Sequence, residues 1–176
     1  MTLHRTMMPQ NNVVIREGIK SDCKEIRRLI QELADFEEMP NGPKIGYETL
    51  EKDGFETNPP IFFCYVAEHH SEEEESKLVG YALYYYTYST WNGRKMYLED
   101  LYVDEKYRNQ HIGSQLFKTV AKKAVQENCA YLEFSVLAWN PARKFYEAFG
   151  AANLTDAEQW NLYRLTGESL RRTAQI

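Results

Sequence analysis

One stretch of the sequence joins a strand, a short basic loop and the start of a helix. Residues 97–103 have the composition of a strand, and the loop from Arg108 to Ser114 leads into a predicted helix. The first N–H groups of a helix lack partners within it, and the helix dipole adds positive charge at that end. Arg108 adds a cation, and Gly113 lets the backbone approach a ligand closely. The stretch therefore predicts a site for a pyrophosphate, although an ordinary strand–helix corner with a surface arginine has the same residues.

The glycines of this loop do not match the two common phosphate-binding motifs. The loop contains no Gly-Lys pair followed by Ser or Thr, and its glycine spacing differs from G-x-G-x-x-G. The sequence therefore argues against a P-loop and against a dinucleotide-binding fold. The ligand predicted for the loop is a nucleotide of another kind.

The order of the predicted elements indicates a mixed α/β sheet. Apolar and β-branched runs predict strands at 13–16, 61–68, 78–89, 95–103, 131–137 and 160–165. Helical spacing predicts helices at 22–37, 47–53, 113–128 and 141–149. Asp22 and Glu25 form a capping box at the start of the first helix. Gly54 and Gly150 are expected to end the second and the fourth. Strands joined by short loops pair antiparallel, whereas the strand–helix–strand unit at 95–137 implies a parallel crossover. The expected fold is α/β, with helices on both faces of the sheet.

Length and composition limit the organisation of the chain. It has 176 residues, of which 43% are hydrophobic, so it can bury a core of its own as one domain. We expect a flexible N-terminus at 1–12, a domain at 13–166 and a C-terminal tail at 167–176. The acidic run at 72–75 predicts a solvated hairpin loop.

Charge and cysteine content indicate the partners and the compartment. The 21 basic and 26 acidic side chains give a net charge of −5, which argues against nucleic acid and favours a cationic partner. No stretch is apolar over the roughly 18 residues of a membrane span. Cys23, Cys64 and Cys129 are odd in number and widely spaced, which predicts reduced thiols in a cytosolic or nuclear setting, and we expect a cytoplasmic location. The four histidines lack metal-ligand spacing, so no metal site is expected.

Seven blocks of sequence carry a resemblance to a known family. They lie in the family's order at 26–37, 50–55, 79–86, 88–93, 97–103, 139–140 and 144–150, and the loop at 108–113 is similar to the family pattern Arg/Gln-x-x-Gly-x-Gly/Ala. The sequence resembles the GNAT superfamily of acetyl-CoA-dependent N-acetyltransferases, and within it the diamine (spermidine/spermine) and thialysine acetyltransferases. The resemblance covers about residues 13–165. It implies the GNAT fold, with a mostly antiparallel twisted sheet, a splayed parallel strand pair at the cofactor cleft, and acetyl-CoA as the acetyl donor.

The resemblance also assigns roles to residues of this chain. Those implied to hold acetyl-CoA are Leu101, Tyr102 and Val103 beside the pantetheine arm, Arg108, Asn109, Gln110, His111, Ile112, Gly113 and Ser114 around the pyrophosphate, and Asn140, Arg143 and Tyr146. Those implied to form the acceptor pocket are Phe36, Glu37, Glu99, Asp100, Glu133, Phe134, Ser135 and Glu158. Tyr146 is implied to be the general acid near the thioester sulfur, and Glu99 the catalytic carboxylate near the acceptor amine.

Elementary chemistry agrees with the roles of these two catalytic residues. An alkylammonium, with a pKa near 10.4, is not a nucleophile until it loses a proton. A carboxylate such as Glu99 can accept that proton directly or through water, and a tyrosine hydroxyl can protonate the departing thiolate. Without the resemblance, Tyr146 would be interpreted as a packed aromatic residue and Glu99 as a strand residue facing water.

Three features depart from the family pattern. His111 replaces the middle glycine of the pyrophosphate loop, which strains the loop if φ is positive there, and we expect acetyl-CoA to bind nonetheless. Asn140 and Tyr146 are six positions apart, one fewer than is usual in the relatives, so the connection into the last predicted helix is shortened. Ala138 stands where the relatives tend to carry an acid. Together with the sequence at 88–94, it favours a lysine-like or short diamine acceptor over a long polyamine.

The resemblance implies an enzyme that moves acetyl directly from acetyl-CoA to a small primary amine in a ternary complex. None of the three cysteines occupies a matching position, which argues against a covalent acetyl-enzyme. Two other functions stay open, a protein lysine or N-terminal acetyltransferase and a catalytically weak acetyl-CoA-binding module. Because the relatives are dimers, we expect a homodimer, with neither nucleic acid nor a membrane as a partner.

Overall fold

A single five-stranded sheet organises the structure, a computed structural model that describes residues 12–71 and 75–175. Its strands are β1 (Val13–Glu17), β2 (Phe63–His69), β3 (Lys77–Ser89), β4 (Gly93–Val103) and β5 (Leu132–Glu133), in the spatial order β1-β2-β3-β4-β5. The first four strands pair antiparallel, and β5 runs parallel to β4. The predicted mixed sheet is therefore confirmed.

The parallel strand pair is short. Leu132 lies opposite Met96 and Glu133 lies opposite Tyr97, and β5 ends there. β4 continues to Val103, so the strand predicted at 131–137 is correctly located but much shorter. Beyond Tyr97, no strand of the described residues pairs with the edge of β4 that faces away from β3. The backbone of this edge is therefore available to an extended ligand.

Helices cover both faces of the sheet, as predicted. The α-helices of the described residues are α1 (Cys23–Phe36), α2 (Tyr47–Glu51), α3 (Ile112–Gln126), α4 (Ala142–Ala148), α5 (Leu154–Glu158) and α6 (Gly167–Thr173). Of these, α1 and α2 lie on one face of the sheet and α3 lies on the other. Ile26 of α1 and Leu50 of α2 share one buried cluster with Val66 and Tyr81 of the sheet. Because neighbouring strand residues point to opposite faces, residues such as Ala82 face the other side, which α3 covers.

The capping box predicted at the start of α1 is wrong. The Asp22 side chain does not cap the helix, because its carboxylate accepts hydrogen bonds from Arg16 at 2.7 and 3.0 Å and from the N–H of Ile19 at 2.8 Å. Glu25 pairs with Arg28 at 2.9 Å instead of reaching back to the helix start. Arg16 of β1 therefore binds both oxygens of the Asp22 carboxylate, which the capping-box prediction had assigned to the N–H groups of the helix.

Gly54 does not end α2 as predicted. It lies within a π-helical turn, Lys52–Glu56, that continues from α2. A Cβ at this position would lie 2.5 Å from the ring of Phe62, far closer than packing allows. Gly54 is therefore required for the approach of this turn to Phe62 rather than for a helix end.

The described residues divide into two compact units, one ending at Ser135 and the other beginning at Val136. The strand predicted at 160–165 is wrong. Residues 159–166 have no regular structure, and Trp160, Leu162 and Tyr163 are 69%, 87% and 89% exposed. An apolar alternation forms a strand only where another strand supplies its hydrogen bonds, and none does so among the described residues. The tail predicted at 167–176 contains α6.

Some expectations about organisation stay predictions. Residues 1–11 and 72–74 lie outside the described residues, and with them most of the predicted flexible N-terminus and of the predicted acidic loop. The single domain at 13–166 is likewise a prediction. Within the described part of the chain, no helix is long and apolar enough to cross a membrane. The same residues contain no group of three or more His, Cys, Asp or Glu that could hold a metal ion.

Candidate active site

A β-bulge in β4 brings two acidic side chains to one face of the sheet. Leu83 pairs with Asp100 and Tyr84 pairs with Leu98, so Glu99 has no cross-strand partner. In a regular strand Glu99 and Asp100 would point to opposite faces, but an extra residue reverses the alternation of the strand. The bulge therefore allows neighbouring acids to act on the same ligand.

Two tyrosines of β3 show that both acids face α1. The Tyr81 hydroxyl donates to Asp100 Oδ2 at 2.8 Å, and the Tyr85 hydroxyl donates to Glu99 Oε2 at 2.8 Å. Tyr81 and Tyr85 are four residues apart on one strand and so point to the same face, and Tyr81 is buried with the α1 core. The structure thus brings together two residues predicted for the acceptor pocket.

Glu37 adds a third carboxylate to this region. It follows α1 directly, and its backbone N–H donates to the Leu33 carbonyl at 2.9 Å. Burial raises the pKa of Glu37. Burial also raises the pKa of Asp100, to about 6. The charges of Glu99 and Glu37 raise this pKa further, whereas the hydrogen bond from Tyr81 lowers it. A positively charged ligand would relieve the repulsion among these carboxylates.

The other predicted pocket residues of the first unit have varied surroundings. Glu133 forms an ion pair with Lys95, so its charge is already compensated. The Phe134 ring meets Phe117 edge-on at 5.7 Å. The exposed Ser135 shares a hydrogen bond of 2.7 Å with the Tyr97 hydroxyl. Ser135 therefore adjoins the acidic face through Tyr97, whereas Glu133 is tied to a lysine.

The loop after β4 has the geometry of an anion site. A short 3₁₀ turn, Glu105–Tyr107, leads to the loop, and α3 begins at Ile112. Asn109 and His111 both have φ of 62°, in the left-handed region. His111 thus occupies the strained conformation that a glycine would adopt freely. The exposed His111 immediately precedes the helix, so the first N–H groups of α3 surround the place where a phosphate would bind.

Arg108 lies against two aromatic rings beside this loop. Its Nε donates to the Val103 carbonyl at 3.1 Å, and its guanidinium lies 4.8 Å from the ring centre of Phe36 and 5.6 Å from that of Tyr102. Arg108 therefore connects the loop predicted for the pyrophosphate to the end of α1. Gly113 leaves the backbone open here, because a Cβ would meet only Val103 Cγ2, at 3.7 Å.

These features fit acetyl-CoA. Leu101, Tyr102 and Val103 pair with β3 on one edge, and no strand of the described residues occupies the other edge. An extended pantetheine arm would suit that edge, and Arg108 with the first turn of α3 would suit its pyrophosphate. A free strand edge that ends at a cation and a helix N-terminus suits a ligand that is extended and carries negative charge at one end.

The remaining predicted site residues belong to the unit that begins at Val136. Asn140 is buried, and its Oδ1 accepts a hydrogen bond from the Ala142 N–H at 2.9 Å. Arg143 donates to the Ala138 carbonyl at 3.1 Å. The shortened connection into α4 is thus held by local hydrogen bonds. The roles of Asn140 and Arg143 toward acetyl-CoA stay predictions.

The last two predicted site residues lie on short helices of the same unit. Tyr146 is on α4, with its ring 5.0 Å from that of Phe145. Glu158 ends α5, and its Oε2 accepts a hydrogen bond from Trp160 Nε1 at 3.0 Å. Their predicted roles as general acid and as acceptor-pocket residue are proposals.

Sequence reasoning missed the two tyrosines that contact the acids. Tyr81 and Tyr85 are two of 13 tyrosines, and their pairing with Asp100 and Glu99 depends on a register that includes a bulge. The one available signal is a pair of adjacent acids in an otherwise apolar strand. Such a pair predicts either an exposed edge or a bulge.

A mixed sheet with a bulged strand, an acidic face and an anion-binding loop is the arrangement expected of an acyltransferase. The sequence profile of the Acetyltransferase (GNAT) family matches residues 26–151. The chain belongs to the GNAT family and is an N-acetyltransferase. Members of this family use acetyl-CoA.

Similar proteins agree with this assignment. The chain is 46% identical to a thialysine N-epsilon-acetyltransferase of Bos taurus over 92% of its own length and 97% of the relative. It is 40% identical to a spermidine/spermine N(1)-acetyltransferase-like protein 1 of Homo sapiens, over 89% of the chain but 23% of that larger protein. The fold matches an integron cassette protein from the mobile metagenome of V. cholerae with a TM-score of 0.73, at 25% identity over 94% of this chain and 99% of that one.

Proposed function

We propose that this protein transfers the acetyl group of acetyl-CoA directly to the primary amine of a small cationic substrate. The acceptor would be a thialysine- or lysine-like amine, or a diamine or polyamine. The observation that carries the proposal is the pair Glu99 and Asp100, which the bulge turns to one face beside Glu37. Three carboxylates attract an ammonium group and leave an acceptor for its proton.

The residues that the family resemblance assigns have the following roles in this proposal. Acetyl-CoA supplies the acetyl group as a thioester. Glu99 would accept the ammonium proton, directly or through water, so that the amine nitrogen can form its bond to the acetyl carbon. Tyr146 would give its hydroxyl proton to the sulfur as the carbon–sulfur bond breaks. Arg108, with the loop to Ser114, would hold the pyrophosphate, and no covalent acetyl-enzyme is needed.

The size of the acceptor follows from features of both the chain and its relatives. The thialysine acetyltransferases of cattle, pig and mouse are each 46% identical to this chain. Ala138 provides no carboxylate for a second, distant cationic centre. Glu133, a further candidate for that role, is paired with Lys95. These features favour a lysine-like or short diamine acceptor.

A panel of amines tests the proposed function. Acetyl transfer is measured with spermidine, spermine, putrescine, thialysine and lysine, with kcat/KM for each and with lysine peptides in parallel. We expect the highest kcat/KM for thialysine or a short diamine, and a large loss in Glu99→Gln. Turnover of peptides alone would indicate a protein acetyltransferase. Absence of turnover with every acceptor, while acetyl-CoA binds, would leave only a cofactor-binding module.

We propose that the protein is a homodimer. Trp160, Leu162, Tyr163 and Leu165 are between 56% and 89% exposed, within six residues of chain. Monomeric proteins rarely expose such continuous apolar segments. Sedimentation of the wild type and of a Leu162→Glu variant tests this. A dimer that the charge disrupts is expected, and a monomeric wild type would refute the proposal.

We also propose a cytoplasmic location. Support comes from Cys23, Cys64 and Cys129, which are all free thiols. Burial raises the pKa of both Cys23 and Cys129, which disfavours their reactive thiolate forms. A fluorescent fusion viewed in cells is expected in the cytoplasm, and accumulation in a secretory compartment would refute this.

A further inference from the structure

The hydrogen bond from Tyr85 to Glu99 indicates that Tyr85 supports the proposed reaction without touching the reacting atoms. We propose that Tyr85 is a positioning residue, which holds the Glu99 carboxylate for proton transfer from the acceptor amine; this rests on the proposed function. The Tyr85 hydroxyl donates to Glu99 Oε2 at 2.8 Å, which leaves Oε1 for the amine or an intervening water. Tyr85 therefore acts through Glu99 and keeps its own proton.

Glu99 needs such a partner because of where the bulge places it. It is exposed and has no cross-strand neighbour, so its long side chain could adopt many rotamers in water. Asp100 lies on the same face, and its charge repels the carboxylate of Glu99. The hydrogen bond from Tyr85 opposes both effects.

The ring of Tyr85 is itself fixed by β4. It stacks on Tyr97 with ring centres 5.5 Å apart and an interplanar angle of 29°. The Tyr97 hydroxyl in turn shares a hydrogen bond of 2.7 Å with Ser135 Oγ. A donor whose ring cannot swing away loses little freedom when it binds a carboxylate, which makes it effective at positioning.

The Tyr85 hydroxyl keeps its proton at neutral pH and can therefore donate to Glu99. Burial, followed by the hydrogen bond to Glu99 and the charge of that carboxylate, raises the pKa of Tyr85 above its usual value. The neighbouring pair Tyr81 and Asp100 has the same donor and acceptor types but lies deeper, with Tyr81 fully buried. Tyr81 therefore supports the core, whereas Tyr85 serves the exposed carboxylate.

Four variants test this role. Tyr85→Phe keeps the ring stacked on Tyr97 and removes only the hydroxyl. Tyr86→Phe is the matched control, because Tyr86 follows on the same strand, points to the other face and keeps its contact with Arg94 through its ring. Glu99→Gln and the double variant Tyr85→Phe/Glu99→Gln complete a cycle. Each is measured with the best amine of the panel, together with its melting temperature and its affinity for acetyl-CoA.

We expect Tyr85→Phe to lower kcat/KM for the amine by about 10-fold, the effect of one hydrogen bond to a charged group. Acetyl-CoA affinity should stay within about 2-fold, because Tyr85 faces the acceptor. In the Glu99→Gln background the same change should alter kcat/KM by less than about 2-fold, because the carboxylate that it positions is gone.

Results that contradict the positioning role can be distinguished from results that contradict the proposed function. An equal loss in both backgrounds would show that Tyr85 acts independently of Glu99, and an unchanged kcat/KM in Tyr85→Phe would show that it does not act at all. Either result overturns the role of Tyr85 and leaves the proposed function intact. Absence of turnover by the wild type with every amine would overturn the proposed function and the positioning role together.

Discussion

The guanidinium of Arg108 lies 4.8 Å from the centre of the Phe36 ring, where the loop that precedes α3 meets the end of α1. Phe36 was assigned to the acceptor pocket and Arg108 to the pyrophosphate. In the proposed function their contact would join the two substrate sites through a cation–π interaction within the first compact unit. The position of α1 therefore bears on how the cofactor loop presents its cation.

Replacing Phe36 should weaken acetyl-CoA binding, although the residue is assigned to the other substrate. A cation–π contact at a partly exposed site is worth about 0.5–1 kcal/mol, so Phe36→Ala should raise the Kd of acetyl-CoA by about 2- to 5-fold. Calorimetric titration measures this. Phe36→Tyr, which keeps an aromatic ring, serves as the control and should bind like the wild type. An unchanged Kd in Phe36→Ala would show that the contact does not orient Arg108.

Replacing His111 by glycine should relieve the strain of the loop. A non-glycine residue in the left-handed region is disfavoured by about 1–2 kcal/mol, and glycine removes this cost. Part of the gain is lost because glycine has the larger conformational entropy in the unfolded state. His111→Gly should thus raise the free energy of unfolding by up to about 1 kcal/mol. Urea unfolding measures this free energy, with His111→Val as a destabilised comparison.

We expect wild-type protein to bind acetyl-CoA although His111 stands in this loop, and absence of binding at high micromolar concentration would contradict this.

Replacing Asp100 should stabilise the fold in a pH-dependent manner. Burial raises its pKa to about 6, above that of an unfolded aspartate, so ionisation in the folded state reduces stability as pH rises from about 4 to about 6. Asp100→Asn should therefore increase the free energy of unfolding by about 1–2 kcal/mol at pH 8, after allowance for partial exposure. The gain should vanish below pH 4, where the aspartate is protonated in both states. Equal effects at both pH values would contradict this origin.

Removing the Tyr146 hydroxyl should slow the chemical step more than it weakens binding. General acid catalysis contributes about 100-fold or more, so Tyr146→Phe should lower kcat by at least that factor. Its Kd for acetyl-CoA, measured by calorimetry, should change by less than about 2-fold. Phe145, the adjacent ring, provides a control through Phe145→Leu. Turnover of Tyr146→Phe at the wild-type rate would remove the tyrosine from the role of acid.

Removing the Glu99 carboxylate should matter most at low pH. Without it, the reaction depends on amine that has already lost its proton, and that fraction grows with pH. Glu99→Gln should lower kcat/KM by about 100-fold at pH 7, and the deficit should shrink by about 10-fold at pH 9. The measurement is the ratio of wild-type to variant kcat/KM from pH 6 to pH 9.5. A constant ratio over this range would argue against proton acceptance by Glu99.

Local sequence signals predicted well the strand, loop and helix that are proposed to hold the cofactor. The strand, loop and helix at 97–128 are present, and φ at His111 is positive, which is the condition under which strain was expected there. These features depend on neighbours in sequence, namely the helix start, the loop residues and the alternation of the strand. Such neighbours are visible without knowledge of the fold.

The acceptor side depended on contacts between distant residues, which the sequence alone did not reveal. The pairing of Tyr85 with Glu99 requires the register of β3 on β4 and the bulge at one position of that register. Asp22 was assigned to a helix cap because its partner Arg16 lies on another element. The alternation at 160–165 resembled a strand, but a strand also needs a neighbour to pair with.

The bulge divides β4 into two segments with opposite alternation. Met96 and Leu98 lie opposite Tyr86 and Tyr84, whereas Asp100 and Tyr102, also even-numbered, lie opposite Leu83 and Tyr81 on the other face. Deleting Glu99 would remove the extra residue and leave Asp100 opposite Leu83 and Leu98 opposite Tyr84, so the bulge would be lost while both segments kept their faces and their partners. Substituting Glu99 itself removes no cross-strand pair. The position proposed to contact the acceptor amine can thus change while β4 keeps its register on β3.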